Sequence, residues 1–245
     1  MPNHITNRIT AEKHVLDSVV SDEKNEQTGE SFQVFDFKKI IAPPDAISQE
    51  IIGSNIKTAA EIALGVIDFA NRIEMPSDPL GGGMGLAAAA MHQINAMRQL
   101  AEGKMAKDFS DEEFESFVGF MRAYRTCGGL MDWYDWNIKM WGTKWNSYQF
   151  ERVSDTVVTF QTAWSPPHPV IGRLNEKTKS RIVHEWADED TGSNVGHRIY
   201  RGDCTLEKDD EYSRTKEGYE LAFELCGGEE HYEWNGSEYV YKDEE

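Results

Sequence analysis

An α+β fold follows from three observations on the chain. A β-branched run at residues 3–10 (Ile5, Thr6, Ile9, Thr10) leads into a helical stripe at 12–20 (Val15, Leu16, Val19, Val20) and then an apolar run at 32–41. Residues 45–130, rich in Ala, Met, Ile and Gln, carry almost no strand signal. From residue 156 onward, strand, helix and strand return. With the middle set aside, this order is the βαββαβ ferredoxin-like plan, a name for a fold and not for an iron–sulfur cluster. The expectation is a ferredoxin-like βαββαβ sheet with a large helical insertion and appended C-terminal strands and helix. Its domains are a discontinuous core of 1–44 and 131–202, the insertion at 45–130, and an acidic extension at 203–245.

Each element has its own signal. Residues 21–31, polar and containing Gly29, read as a loop, and Pro43 and Pro44 end the run at 32–41 as a strand. In the middle, 47–72 is apolar at helical spacing but interrupted by Gly53 and Gly65, and 86–101 has the composition of a strong helix former. The GGGMG run at 81–85 lacks the preceding strand and the Lys-Ser/Thr that a phosphate loop requires. Ser110 and Glu113 form a capping box that opens a helix carrying Phe114, Phe117, Val118, Met121 and Tyr124, and Gly128 and Gly129 stop it. Residues 156–164 are the strongest strand in the chain. Prolines at 166, 167 and 169 then set up a helix to about 179. Strands at 181–187 and 195–201, a helix at 216–225 and a hairpin closed by Asn235-Gly236 complete the order.

The densest feature is 133–148, WYDWNIKMWGTKWNSY, which holds four of the seven Trp. Aromatics bury large areas while keeping an N–H or O–H to bond, so the stretch reads either as a core seam or as a recognition surface on a shaped loop that feeds the sheet. The candidate recognition residues are Trp141, Gly142, Thr143, Lys144, Trp145, Asn146, Trp164 and Ser165.

Net charge is −18, and residues 203–245 hold 15 Asp/Glu against 4 Lys/Arg. A field of that sign repels phosphate backbones and favours a basic partner, so long nucleic acid is not expected. Glu207, Asp209, Asp210 and Glu211 form the candidate acidic interaction surface, the alternative being a solvated face. No apolar run approaches the roughly 20 residues that cross a bilayer, and the first ten residues lack a signal peptide's apolar stretch, which together predict a cytoplasmic protein without a membrane partner. Cys127, Cys204 and Cys226 are odd in number and far apart, giving neither a disulfide framework nor a cluster motif.

Several segments, MPNHITNRI at 1–9, FDFKKIIAPP at 35–44, WYDWNIKMWGTKWNSY, FQTAWSPPHPVI at 160–171 and HEWADEDTGSNVG at 184–196, resemble the YubB-like ferredoxin-domain family of bacteriophage and plasmid proteins. The resemblance spans most of residues 1–202 and implies a ferredoxin-like fold and a mobile-element origin. It supplies no reaction, cofactor or catalytic residue.

No chemistry stands out from the titratable residues. The seven His have no pair at the i, i+4 spacing of a helical zinc site, so no metal is expected. In the acidic cluster at 184–190, strand alternation puts His184, Trp186 and Asp188 on one face and Glu185 and Glu189 on the other, too few carboxylates for a hydrolytic cation site. Ser165 reads as a turn residue. The first functional expectation is a non-catalytic phage- or plasmid-encoded protein that binds and modulates a host protein with a basic surface, as in counter-defence or nucleic-acid mimicry. The second is a ligand-binding module for a nucleotide, another small molecule or single-stranded nucleic acid on the WGTKWN loop. Neither calls for a cofactor.

Overall fold

Ile5, Asn7 and Ile9 are fully buried while His4, Thr6, Arg8 and Thr10 are only partly covered, so β1 (His4–Thr10) alternates as a half-buried strand should. Along its length it pairs antiparallel with β5 (Val157–Ala163) on one side and β6 (Ile182–Asp188) on the other. The computed structural model describes residues 3–25, 27–47, 54–64 and 109–242. They fall into two compact units, residues 1–42 with 137–245, and residues 43–136.

The larger unit is built on a six-stranded antiparallel sheet ordered β4-β5-β1-β6-β7-β8, where β4 is Tyr148–Arg152, β7 is Gly196–Tyr200 and β8 is Leu206–Glu211. Helix α1 (Lys13–Val19) follows β1, and α6 (His168–Thr178) joins β5 to β6. β1-α1-β4-β5-α6-β6 is therefore the ferredoxin-like βαββαβ core, with β7 and β8 added beyond β6. Ile5, Asn7 and Ile9 of β1 share a face with Val158, Phe160 and Thr162 of β5 and with Ile182, His184 and Trp186 of β6. That face is the core. α1 contributes Val15, Leu16 and Val19, and α6 contributes Val170, Ile171 and Leu174, all buried. Pairing of β6 with β7 sets Gly196 opposite Trp186, and a Cβ there would lie 2.3 Å from the indole and 2.6 Å from the Asp210 carbonyl, so the indole itself demands glycine.

The second core strand is the first departure from expectation. The run 32–41 is not in the sheet: β3 (Ser31–Phe35) pairs with β2 (Val20–Lys24) in a separate hairpin, and Phe37–Ile40 is a short helix, α2. Asp36 causes the break, because its side chain accepts from the Lys38 amide at 3.0 Å and caps that helix. The hairpin lies on the core face, with Phe35 stacked on Phe160 at 4.8 Å and Phe37 edge-on to Phe160 at 6.0 Å. β4 takes the vacant place in the sheet. The stretch expected as a shaped loop is also partly regular, since α5 (Trp133–Met140) is a helix whose first amides bond Asp132.

On the opposite sheet face lies α7 (Lys216–Cys226), with Ala222, Leu221 and Leu225 against Ala187, Val195 and Tyr212. Arg8 ties it down, donating to Glu185 at 2.7 Å and to Glu224 of α7 at 2.5 Å. Beyond a 3-10 turn, β9 (Tyr232–Trp234) and β10 (Tyr239–Tyr241) form the hairpin expected around Asn235-Gly236.

In the smaller unit, α3 (Ser54–Ala63) packs on α4 (Asp111–Thr126) through Ile56, Ala60, Phe120 and Met131. Ser110 and Glu113 make both bonds of the capping box. Lys57 bridges Asp132 at 3.0 Å and Asp135 at 2.7 Å. The helix expected at 86–101, the Gly run at 81–85 and most of 47–72 lie outside the described residues. No helix among the described residues is long and apolar enough to cross a membrane.

Candidate functional site

The WGTKWN loop divides into a buried clasp and an exposed remainder. Trp141 is 2% exposed, donates its indole N–H to the Ile41 carbonyl at 2.9 Å and meets Phe37 edge-on at 5.6 Å. Gly142 has φ +80°, and a Cβ there would sit 2.7 Å from the Pro169 ring. Thr143 is fully buried and donates to the Ala163 carbonyl at 2.7 Å, while Ser165 donates to the Gly142 carbonyl. The Asn146 side-chain oxygen accepts from the Phe37 amide at 2.9 Å and its amide donates to Asp36 at 3.2 Å; next to it, the Ser147 hydroxyl accepts from the Phe35 amide. Five of the eight candidate residues, Trp141, Gly142, Thr143, Asn146 and Ser165, thus fasten the β2–β3 hairpin and the end of β5 to the start of β4. Lys144, Trp145 and Trp164 face outward. The Lys144 ammonium lies 4.5 Å from the Trp145 ring, and Trp164 is 51% exposed with φ +72°, a conformation that L-residues rarely adopt.

The acidic candidates lie on and beside β8. Asp209 is paired with Arg198, Asp210 with Lys208 at 3.2 Å, and Glu207 with Arg201 at 3.3 Å. The Lys208 ammonium and the Tyr212 hydroxyl both hold the Asp210 carboxyl below the usual range, the lysine being the larger cause. Only Glu211, on the outermost strand, is exposed with no ion pair among the described residues. Most of this acidity is neutralised in place.

A site not anticipated from sequence lies on the other sheet face. α7 covers β6 and part of β1, and its C-terminal end (Leu225 to Gly228) forms one wall of a groove of about 600 Å³. The floor and far wall are His4 and Thr6 of β1, Gln149 and Glu151 of β4, and Thr159 and Gln161 of β5, with Glu189 and Thr191 at one end. Among the described residues, none of the lining side chains is Lys or Arg. Arg8, the next outward residue of β1, is committed to two glutamates. The pairing of β4 with β5 shifts register between Tyr148 and Glu151, and Gln149 takes φ +50° at this bulge, which sets it on the groove rim. His4 and the Tyr148 hydroxyl are bonded at 2.8 Å, and burial, followed by the charge of Glu189, pushes that phenol up to about 12. The one sequence signal that could have found the groove was the polar alternate face of residues 4–10.

The core face holds a second polar group. His184, fully buried, meets Asn7 Oδ1 through Nε2 at 3.0 Å, and Asn7 donates to Thr162 at 3.0 Å. Its Nδ1 and the Nδ1 of His168 are both buried with no hydrogen-bond partner among the described residues, and the two rings lie 5.3 Å apart beside Trp186. Burial, then the positive charge of Arg198, lowers His168 to about 4; burial and then His168 press His184 well below the usual imidazole range. Asp188 accepts from the Asn3 side chain and the Asp190 amide, so the cluster expected at 184–190 is used in turns and packing. Among the described residues no group of three or more His, Cys, Asp or Glu is placed to hold a metal ion.

No curated protein matches the chain. The crystal structure of protein api92 from Yersinia pseudotuberculosis aligns with 86% of this chain and 98% of its own, at 13% identity and a TM-score of 0.37. A family model described as the ferredoxin-like domain in Api92-like protein matches residues 140–241, a span that starts just before β4, ends with β10 and leaves out the central strand β1. In that span the chain is similar to the ferredoxin-like domain of Api92-like proteins.

Proposed function

We propose that the chain is a non-catalytic binding protein, made by a bacteriophage or plasmid, that acts in the cytoplasm of a bacterial host by holding a basic segment of a host factor in the open-face groove and so modulating it, as in counter-defence or nucleic-acid mimicry. The observation that carries this reading is the groove lining, in which Glu151 and Glu189 stand among Thr and Gln side chains with no Lys or Arg among the described lining residues. Small-molecule pockets are mostly apolar, whereas a groove floored by Thr and Gln suits a hydrogen-bonding, positively charged guest. The whole-chain charge of −18 adds steering towards such a guest.

The test is amide chemical-shift mapping of the full chain with a short Arg- and Lys-rich peptide at low salt. The expected shifts centre on Thr6, Gln149, Gln161 and Glu189. An exposed carboxylate pair contributes roughly 0.2–1 kcal/mol, so the Glu151→Gln/Glu189→Gln variant should weaken binding about 2–30-fold. Shifts that follow β8 instead, and survive the double variant, would move the surface to Glu207, Asp209, Asp210 and Glu211 and discard the groove.

A second reading rests on Trp164, a large apolar side chain left half in water on a backbone of unfavourable φ, with Lys144 and Trp145 also outward-facing. An outcome of that kind is expected when an aromatic awaits a stacking partner such as a nucleotide base. Here Trp164→Ala and Trp145→Ala should each abolish quenching of tryptophan fluorescence by ATP or a short oligothymidine while leaving the melting temperature intact. Equal quenching of both variants and the wild type would rule it out.

A further inference from the structure

Two turns distant in sequence meet at one amine and one thiol. Lys179 ends α6 with φ +53°, and Cys204 sits in the turn between β7 and β8 with φ +69°. Left-handed backbone at a non-glycine residue carries a steric cost, and here the cost falls on two residues whose side chains converge. Asn175 holds both turns: fully buried, it donates from one amide nitrogen to the Ser180 carbonyl at 2.8 Å and to the Arg201 carbonyl at 2.8 Å, while its backbone carbonyl accepts from the Lys179 amide. The turns are also in close approach, since a Cβ on Gly202 would lie 2.6 Å from the Lys179 carbonyl. Between them the Lys179 ammonium donates to Cys204 Sγ at 3.1 Å, and the sulfur lies 3.8 Å from the Asn175 carbonyl. Cys204 is partly buried, and its contact with the Lys179 amine lies on the exposed side. Among the described residues neither Cys127 nor Cys226 has a lysine amine within hydrogen-bond reach.

We propose that Lys179 and Cys204 form a covalent modification site, in which peroxide converts the thiol–amine contact into a reversible sulfur–nitrogen bond. In the first step the Cys204 thiolate attacks one peroxide oxygen: the S–O bond forms, the O–O bond breaks, and the departing hydroxide takes a proton from the Lys179 ammonium, leaving a sulfenic acid, a neutral amine and water. In the second step the amine lone pair attacks the sulfur. The S–N bond forms, the S–O bond breaks, and the hydroxyl leaves as water with one amine proton. The sulfur loses two electrons, the peroxide gains them, and the chain loses two hydrogens. A thiol then reverses the link by attacking the sulfur and returning the amine. The bond would staple the end of α6 to the β7–β8 turn.

The test uses the full chain carrying Cys127→Ser and Cys226→Ser, so that Cys204 is the remaining thiol and a dimer is the only disulfide open to it. After stoichiometric hydrogen peroxide, intact mass should show a monomer lighter by about 2 Da, restored by dithiothreitol, with Lys179 and Cys204 peptides joined on digestion. Lys179→Arg keeps the charge but supplies a poor nucleophile. In that variant the mass loss should vanish and dimedone should label Cys204 as a sulfenic acid. The proposal is overturned if the mass loss persists in Lys179→Arg, or if dimedone labels Cys204 equally with and without that substitution.

Discussion

Trp141 and Trp145 stand four residues apart in one loop and meet opposite surroundings. Trp141 fills space against Phe37 and satisfies the Ile41 carbonyl, so Trp141→Ala removes a large buried ring and orphans an acceptor, a loss of roughly 3–5 kcal/mol. Trp145, 39% exposed, should cost under about 1 kcal/mol in the same urea titration. Similar losses in the two variants would contradict the division of this loop into clasp and surface. Gly142→Ala should approach the first class, because the new methyl would run into Pro169 at a φ already unfavourable to alanine. The buried histidines set a pH dependence whose sign is fixed by burial. Unfolded imidazoles titrate near 6.5, whereas His168 and His184 stay neutral to lower pH when folded. The unfolded chain therefore binds more protons below about pH 6.5, and stability falls as pH drops from there towards 4. His168→Phe should lose less stability than the wild type between pH 7 and pH 5; equal losses would place the dependence in other groups.

At the scale of elements, what was legible depended on whether local pattern and tertiary role agreed. β1, α1, β5, α6, β6 and the Asn235-Gly236 hairpin carry their periodicity and turn residues openly, and all formed. The run 32–41 is apolar enough for a strand, yet Asp36 divides it, and the partner of its first half, VSDEK at Val20–Lys24, has the composition of a loop. β8, LEKDDE, is equally unreadable, because an edge strand with one neighbour needs no apolar face. The site was harder. Aromatic density at 133–148 was visible, but whether a given ring turns inward depends on Phe37, Ile41 and Pro169, residues about 25 to 105 positions away. The groove is assembled from β1, β4, β5 and the end of α7, and its small polar side chains have no signature in any one segment. Asp36 gives a test at this scale. It caps α2, accepts from Ser21 at 2.9 Å and from Asn146 at 3.2 Å, so Asp36→Ala should cost about 1–3 kcal/mol and loosen the β2–β3 hairpin in hydrogen exchange before β1. Exchange that rises uniformly through the larger unit would refute that order.

For the whole molecule, the division of the chain into two compact units predicts that the larger one folds without 43–136. Ile41 and Trp141 are already bonded to each other, so the two ends left by removing that segment lie close together. A variant with residues 46–130 replaced by a short Gly/Ser linker should unfold cooperatively and keep the groove's response to a basic peptide. A non-cooperative transition would show that the sheet depends on the smaller unit. The placement of β1 has a consequence of a different kind. The central strand precedes both of its neighbours, 157–163 and 182–188, by well over a hundred residues. At ribosomal speeds of about 5–20 residues per second, β1 waits roughly 7–30 s before either flank exists. During that interval both of its edges lack their native partners and can template pairing with another strand. Pairing across such a separation also makes refolding slow, and an abrupt gain of protease resistance should appear only when nascent chains grow past residue 188.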